Sequence, residues 1–180
     1  MTYAAWALFL HKITQWRALG FSISLSGRTI PWAHADSIVG PLLNRTPLAF
    51  IIPANVTVGK WLAYVHRVVL DAVEFDGLSH SLPDSLMGDA RTNKTQVQCL
   101  LDMPRPSDRW SFVDRQKHGY MLYWYVYELD DEIETTFELQ PDVSLKWAKE
   151  VAHLPARMLK ALAEAGEHTL VDDVIKHDAS

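Results

Sequence analysis

Hydrophobic and polar positions change period several times along this chain, and each change marks an element. From Thr2 to Trp16 the large apolar residues Trp6, Phe9, Leu10, Ile13 and Trp16 fall at helical spacing, with Thr2 placed as N-cap. The period then drops to two: Phe21, Ile23 and Leu25 alternate with Ser22, Ser24 and Ser26, the signature of a half-buried strand. Residues 47–52 are continuously apolar and predict a buried strand, and Pro53, Ala54 and Asn55 supply the turn after it. Thr57 is placed to cap a helix running to Val73, whose stripe is Val58, Trp61, Leu62, Val65, Val68, Val69 and Ala72.

Residues 74–93 are polar and rich in turn formers. Residues 96–103 alternate as a strand with Val97, Cys99 and Leu101 on one side. A second long loop, residues 104–119, leads to the aromatic run YMLYWYVYEL over residues 120–129. As a strand, this run puts Tyr123, Tyr125 and Tyr127 on one face, and Leu122, Trp124 and Val126 on the other, which predicts a central strand covered on both sides. Asp130 and Asp131 form a turn into residues 132–140, where Ile133, Thr135, Phe137 and Leu139 oppose Glu134, Thr136 and Glu138; together these runs predict an antiparallel hairpin. Ser144 caps a last helix through Trp147, Ala148, Val151, Leu154, Met158, Leu159 and Leu162, which Pro155 kinks or splits and Gly166 ends. Residues 1–166 thus read as one domain, and the acidic tail 167–180 is expected to fray.

Composition narrows the function classes. At 180 residues, 48% hydrophobic and 22% charged, the chain has the substance of a single core. A net charge of −5 without a Lys/Arg run argues against nucleic acid or an anionic membrane as partner. Cys99 is the only cysteine, so neither an intramolecular disulfide nor a cysteine-based zinc site is available, and a reducing, cytoplasmic setting is expected. The apolar run 3–10 is too short to span a membrane.

Chemistry-bearing residues concentrate in residues 25–52. Gly27 allows a backbone conformation closed to other residues, and Arg28 brings five donors that tie down a loop or hold a carboxylate. Trp32, His34 and Asp36 follow in a connector; His34 and Asp36, two apart, share a side if the chain is extended. Farther on, Ser79, His80, Ser81 and Asp84 offer a nucleophile, base and acid without a Gly-x-Ser-x-Gly elbow, so a loop is the simpler account. His66 lies beside the helical stripe and reads as packed or surface. Neither His-x-x-x-His nor His-Glu-x-x-His occurs, so no metal or other cofactor is expected.

The helix, the strand ending in Gly27-Arg28, and the run Ile38-Val39-Gly40 through Leu42 and Asn44 into an apolar strand resemble the C-terminal half of the condensation domains of nonribosomal peptide synthetases, in the chloramphenicol acetyltransferase-like superfamily. The family pattern there is approximately (Ile/Val)-Gly-x-(Phe/Leu)-x-Asn-Thr, and Arg45 stands where threonine is usual. Residues 79–84 are the nearest remnant of a further family motif, and the His-His-x-x-x-Asp-Gly motif of the N-terminal half has no equivalent here. The resemblance implies an α/β fold, a single α/β sandwich subdomain with a mixed, largely antiparallel sheet packed by helices.

Two functions follow as expectations. The favoured one is a truncated condensation-like enzyme of secondary metabolite biosynthesis that binds a hydrophobic polyketide or peptide intermediate and guides a cyclisation, condensation or rearrangement. It acts largely by holding reacting ends together, without the usual histidine mechanism. His34 or His80 then transfers the proton, Asp36 orients it, and Arg28, Trp32, Asn44, Tyr123, Tyr125 and Tyr127 contact the substrate. The alternative is a non-catalytic subdomain that pairs with a second copy, a synthetase or a complementary subunit.

Overall fold

The computed structural model describes residues 1–27, 34, 37–39, 43–74, 99–103, 122–130, 132–139 and 144–177. Their elements run α1 (Thr2–Thr14), β1 (Ala18–Leu25), β2 (Asn44–Ile51), α2 (Val58–Glu74), β3 (Cys99–Asp102), β4 (Leu122–Glu128), β5 (Ile133–Leu139), α3 (Leu145–Val151), α4 (Leu154–Glu164) and α5 (Val171–His177). The strands form one mixed sheet in the order β2-β1-β3-β4-β5. The two outer pairs, β1 with β2 and β4 with β5, are antiparallel and carry most of the ladder; β1, β3 and β4 run parallel. This is the mixed, largely antiparallel α/β arrangement expected.

Helix α1 is enclosed. Every residue from Ala4 to Leu10 is buried, and His11 with them, because the helix lies between the sheet on one side and α2 and α4 on others. Small alanines let its neighbours close in, while Trp6 and Phe9 fill the space over the sheet. Trp6 stacks on Phe9 at 4.9 Å and on Trp124 of β4 at 5.4 Å, and Phe9 meets Phe137 of β5 edge-on at 5.8 Å. The helix ends two residues earlier than its apolar spacing predicts. Gln15 turns left-handed at φ 62° and donates its N–H to the His11 carbonyl, while the His11 Nδ1–H holds the Trp16 carbonyl at 2.8 Å. Trp16 is consequently outside the helix and exposed. Thr2 is not the N-cap either; Met1 occupies that position without a side-chain bond.

Helix α2 covers the β1–β2 side, where Phe21 and Phe50 stack at 5.1 Å and Trp61 sits edge-on to Phe50 at 6.2 Å. Its expected stripe is the observed one, and the Thr57 hydroxyl accepts the Lys60 N–H as cap. Strand β2 departs from the continuously buried strand expected at residues 47–52. It begins at Asn44 and alternates, with Leu48 and Phe50 inward and Pro47, Ala49 and Ile51 exposed. The reason is that α2 covers only one face of β2, and its place at the sheet edge accommodates Pro47.

The last helix is split, as Pro155 requires, into α3 and α4, with Ser144 accepting the Trp147 N–H at 3.5 Å. The expectation of a fraying tail after Gly166 is corrected for residues 167–177. Val58 and Gly59 at the start of α2 donate to the carbonyls of Thr169 and Glu167, and Val171 donates to the Val56 carbonyl, at 2.8–2.9 Å. Helix N-termini leave donors unpaired, and this segment supplies the acceptors. It is also held by apolar burial, with Val171 fully buried and Val174 nearly so, and by Arg17, which pairs with Asp172 at 3.0 Å and reaches the Ile52 and Pro53 carbonyls. Charge in the tail concealed these two apolar positions.

Gly59 leaves room for this clasp: a Cβ there would lie 3.1 Å from the Glu167 Cβ and 3.2 Å from its carbonyl oxygen. Gly59→Val is therefore expected to cost about 1–3 kcal/mol by overpacking. Asp172→Asn, at a partly exposed pair, should cost about 1 kcal/mol or less. Thermal melts followed by circular dichroism check both, and equal effects would contradict a clasp built mainly on backbone bonds and burial.

Candidate functional site

The parallel strands β1, β3 and β4 all point their carboxyl ends to one edge of the sheet. Crevices outside such ends are where ligand sites form in α/β folds. The connection from β1 to β2 leaves from that edge after Leu25, and β2 returns there, because Asn44 pairs with Leu25. Gly27 takes φ 66°, the left-handed region that its lack of a side chain permits. His34, in the same connection, is exposed at φ 69°, and its carbonyl accepts the Ser37 N–H at 2.8 Å. That conformation is one histidine tolerates better than most residues, though nothing in the sequence marks it.

Asn44 is buried, and its Oδ1 accepts the Arg45 N–H at 2.9 Å. Thr46, two residues along on the same face, is buried with its hydroxyl unbonded. Sequence reasoning missed Thr46; its signal is a polar residue at the parity of Leu48 and Phe50. Arg28, Trp32, Asp36 and His80 lie outside the described residues. Among the described residues, then, the only proton-transfer candidate with a place is His34, and no three metal-ligating side chains converge.

The tyrosine row is formed as expected. Leu122, Trp124 and Val126 face the helical core, and the alternation sends Tyr123, Tyr125 and Tyr127 to the opposite face of β4. Tyr123 and Tyr127 are buried and Tyr125 half-buried, so β4 is covered on both faces. The Tyr123 and Tyr125 rings lie nearly parallel, 6.2 Å apart at 7°. Across the ladder Tyr123 is paired with Glu138, Tyr125 with Thr136 and Tyr127 with Glu134. The result is a largely buried aromatic strip beside Glu138, Thr136 and Glu134 of β5. Ser22 and Ser24 share this face through the registers of β1.

No family profile matches the chain. The nonribosomal peptide synthetase echPS of Aspergillus ruber is 37% identical to it over 73 residues, 41% of this chain and 4% of that protein. The nonribosomal peptide synthetase sirP of Leptosphaeria maculans is 26% identical over 161 residues, 87% of this chain and 7% of that protein. Among solved structures, the first condensation domain of the CDA synthetase superposes with a TM-score of 0.63 at 20% identity, covering 96% of this chain and 40% of that one.

The chain is condensation-domain-like. Its fold resembles that of the C-terminal subdomain, and it spans a small fraction of the synthetases it matches and 40% of the condensation-domain structure. No helix among the described residues is long and apolar enough to cross a membrane.

In this condensation-like subdomain the two buried polar residues of β2 should respond oppositely to apolar replacement. Thr46→Val removes an unbonded buried hydroxyl and should be neutral or stabilising by about 1 kcal/mol. Asn44→Leu removes an acceptor in use and should destabilise by about 1–3 kcal/mol. Urea unfolding midpoints at constant m-value distinguish the two.

Proposed function

We propose that this protein serves natural-product biosynthesis by holding a hydrophobic polyketide or peptide intermediate and guiding its condensation, cyclisation or rearrangement. The observation that supports this reading is the tyrosine row on β4, which runs toward the edge where the carboxyl ends of β1, β3 and β4 meet the connection bearing His34. An aromatic wall of this kind binds an extended acyl chain by area and fixes its carbonyls by phenol hydrogen bonds. Holding two ends of one molecule in a reactive arrangement accelerates ring closure without a dedicated nucleophile. Arg28, Trp32, Asp36 and His80 complete the site in this reading: Arg28 and Trp32 as contacts, His34 or His80 as proton carrier, Asp36 as its orienter.

The test uses acyl N-acetylcysteamine thioesters of increasing chain length as probes. Affinity should rise with apolar length, Tyr125→Ala should lower it about tenfold, and Tyr125→Phe about threefold, as expected for losing ring contacts against losing one hydrogen bond. Chain-length-independent binding, or none, refutes the reading. Unchanged product formation by the neighbouring biosynthetic enzymes after deletion of the gene refutes the enzymatic part of it.

A second reading, pairing with a synthetase, a complementary subunit or a second copy, is favoured by one specific feature. Ile38, Val39 and Leu43, close in sequence, are each exposed, Val39 completely so. Exposed apolar residues, where they gather, mark contact surfaces. On this reading Val39→Glu converts a complex seen by light scattering or by co-purification with the partner into the separate chain, while leaving the thermal melt unchanged.

A further inference from the structure

The two edges of the sheet are built differently. At the β2 edge the Ile52 N–H bonds the Arg17 carbonyl, and the antiparallel alternation turns the backbone of Arg45, Pro47, Ala49 and Ile51 away from β1. Three of these outward positions offer no donor to a further strand. The Arg45 N–H is taken by Asn44 Oδ1 at 2.9 Å, Pro47 has none, and the Ile51 N–H meets the Tyr64 hydroxyl at 3.4 Å. Devices of this kind protect a sheet edge from unwanted pairing.

Strand β5 forms the opposite edge and has no such protection. The Leu129 N–H bonds the Glu132 carbonyl, so the even positions of β5 face β4 and the backbone of Ile133, Thr135, Phe137 and Leu139 points outward. No proline interrupts the strand, and among the described residues nothing bonds these outward N–H groups.

The side chains add a charge preference. Residues 119–145 hold seven Asp and Glu and no Lys, Arg or His, more negative charge than the net −5 of the whole chain. Along β5, Glu134 and Glu138 stand on one side of the sheet with Thr136 between them, while Phe137 meets Trp6 and Phe9 on the other. A second copy paired antiparallel in full overlap would set Glu134 of one copy against Glu138 of the other, a like-charge contact. A strand with Lys or Arg four residues apart meets both glutamates with opposite charge.

We propose that the outer edge of β5 docks an extended basic segment of another protein, which joins the sheet antiparallel to β5 with Lys or Arg opposite Glu134 and Glu138 and apolar residues opposite Thr135 and Phe137. The backbone ladder supplies the affinity, and the glutamates select the partner. This edge does not depend on the function proposed for the tyrosine row.

The probes are the blocked peptide Thr-Lys-Val-Thr-Val-Lys-Thr and its counterpart with Glu for both Lys, titrated into the full chain with amide hydrogen exchange as readout. The Lys peptide should bind saturably and slow exchange at Ile133, Thr135, Phe137 and Leu139, leaving Ala49 of β2 unchanged. At low salt it should bind about tenfold more tightly than the Glu peptide, and the difference should shrink as salt is raised. Glu138→Lys should weaken the Lys peptide about threefold or more. Thr135→Pro removes one outward donor, as Pro47 does in β2, and should abolish binding. Should that variant disturb the fold, the Lys peptide N-methylated at both valines loses the same ladder from the other side and should fail to bind the unaltered chain. Equal affinity for the two peptides, protection on β2 or nowhere, or binding by the N-methylated peptide each overturn the proposal. So does protection of the four β5 amides that grows with protein concentration in the absence of peptide, which makes a second copy the occupant.

Discussion

The enclosure of α1 is the constraint on which the rest of this structure depends. A helix buried on all sides needs a partner for every face, and each partner is thereby positioned. The sheet side is met by Trp6 and Phe9, which lock against Trp124 and Phe137 through contacts of 5.4–6.2 Å. Once Trp124 is inward, the period of two in β4 leaves Tyr123, Tyr125 and Tyr127 no choice of face. A register slip of one residue would bury the phenols against α1 and expel the tryptophan, so the packing that holds the core also defines the candidate ligand wall.

The other long helix is positioned by a different device. Helix α2 rests on Phe50 and Phe21 through Trp61, but its first turn is completed by carbonyls more than a hundred residues later in the chain. Residues 167–177 thus close the fold by supplying acceptors at a helix start and two valines to the core. The Arg17–Asp172 pair adds orientation at the surface, where an ion pair contributes little net energy. Helices α1 and α2 are thus fixed by independent means.

Much of this was legible in the residues. Periods of two and near 3.6 identified the strands and helices because their apolar faces are clean, as in α2 and β4. The misreadings have physical causes. Trp16 fits the helical spacing of α1, but a left-handed Gln15 ends the helix, and glutamine carries no signal for that conformation. Residues 47–52 are apolar on both faces, and only the covering of one face by α2 leaves Pro47, Ala49 and Ile51 exposed. In the tail, two buried valines among acids are too sparse a pattern to outweigh the charge. Of the site, the tyrosine row was readable from alternation alone, Asn44 was readable by resemblance only, and Thr46 was not noticed because a lone threonine is unremarkable until its neighbours prove to be inward.

The topology gives the candidate residues a common logic that their sequence positions do not. His34 comes from the connection between β1 and β2 and the tyrosines from a strand some eighty residues later, yet β1, β3 and β4 run parallel and end at the same edge; Asn44, at the start of β2, lies there too but on the face of Ile23 and Trp124, opposite the tyrosines. An antiparallel β4 would send its tyrosines running away from that connection. The parallel centre flanked by antiparallel edges therefore does more than satisfy backbone hydrogen bonds: it points the aromatic strip toward the end of the sheet from which the β1–β2 connection leaves. The parallel strands thus owe their rigidity to the core that α1 organises, and the connection between β1 and β2 leaves that core at its edge.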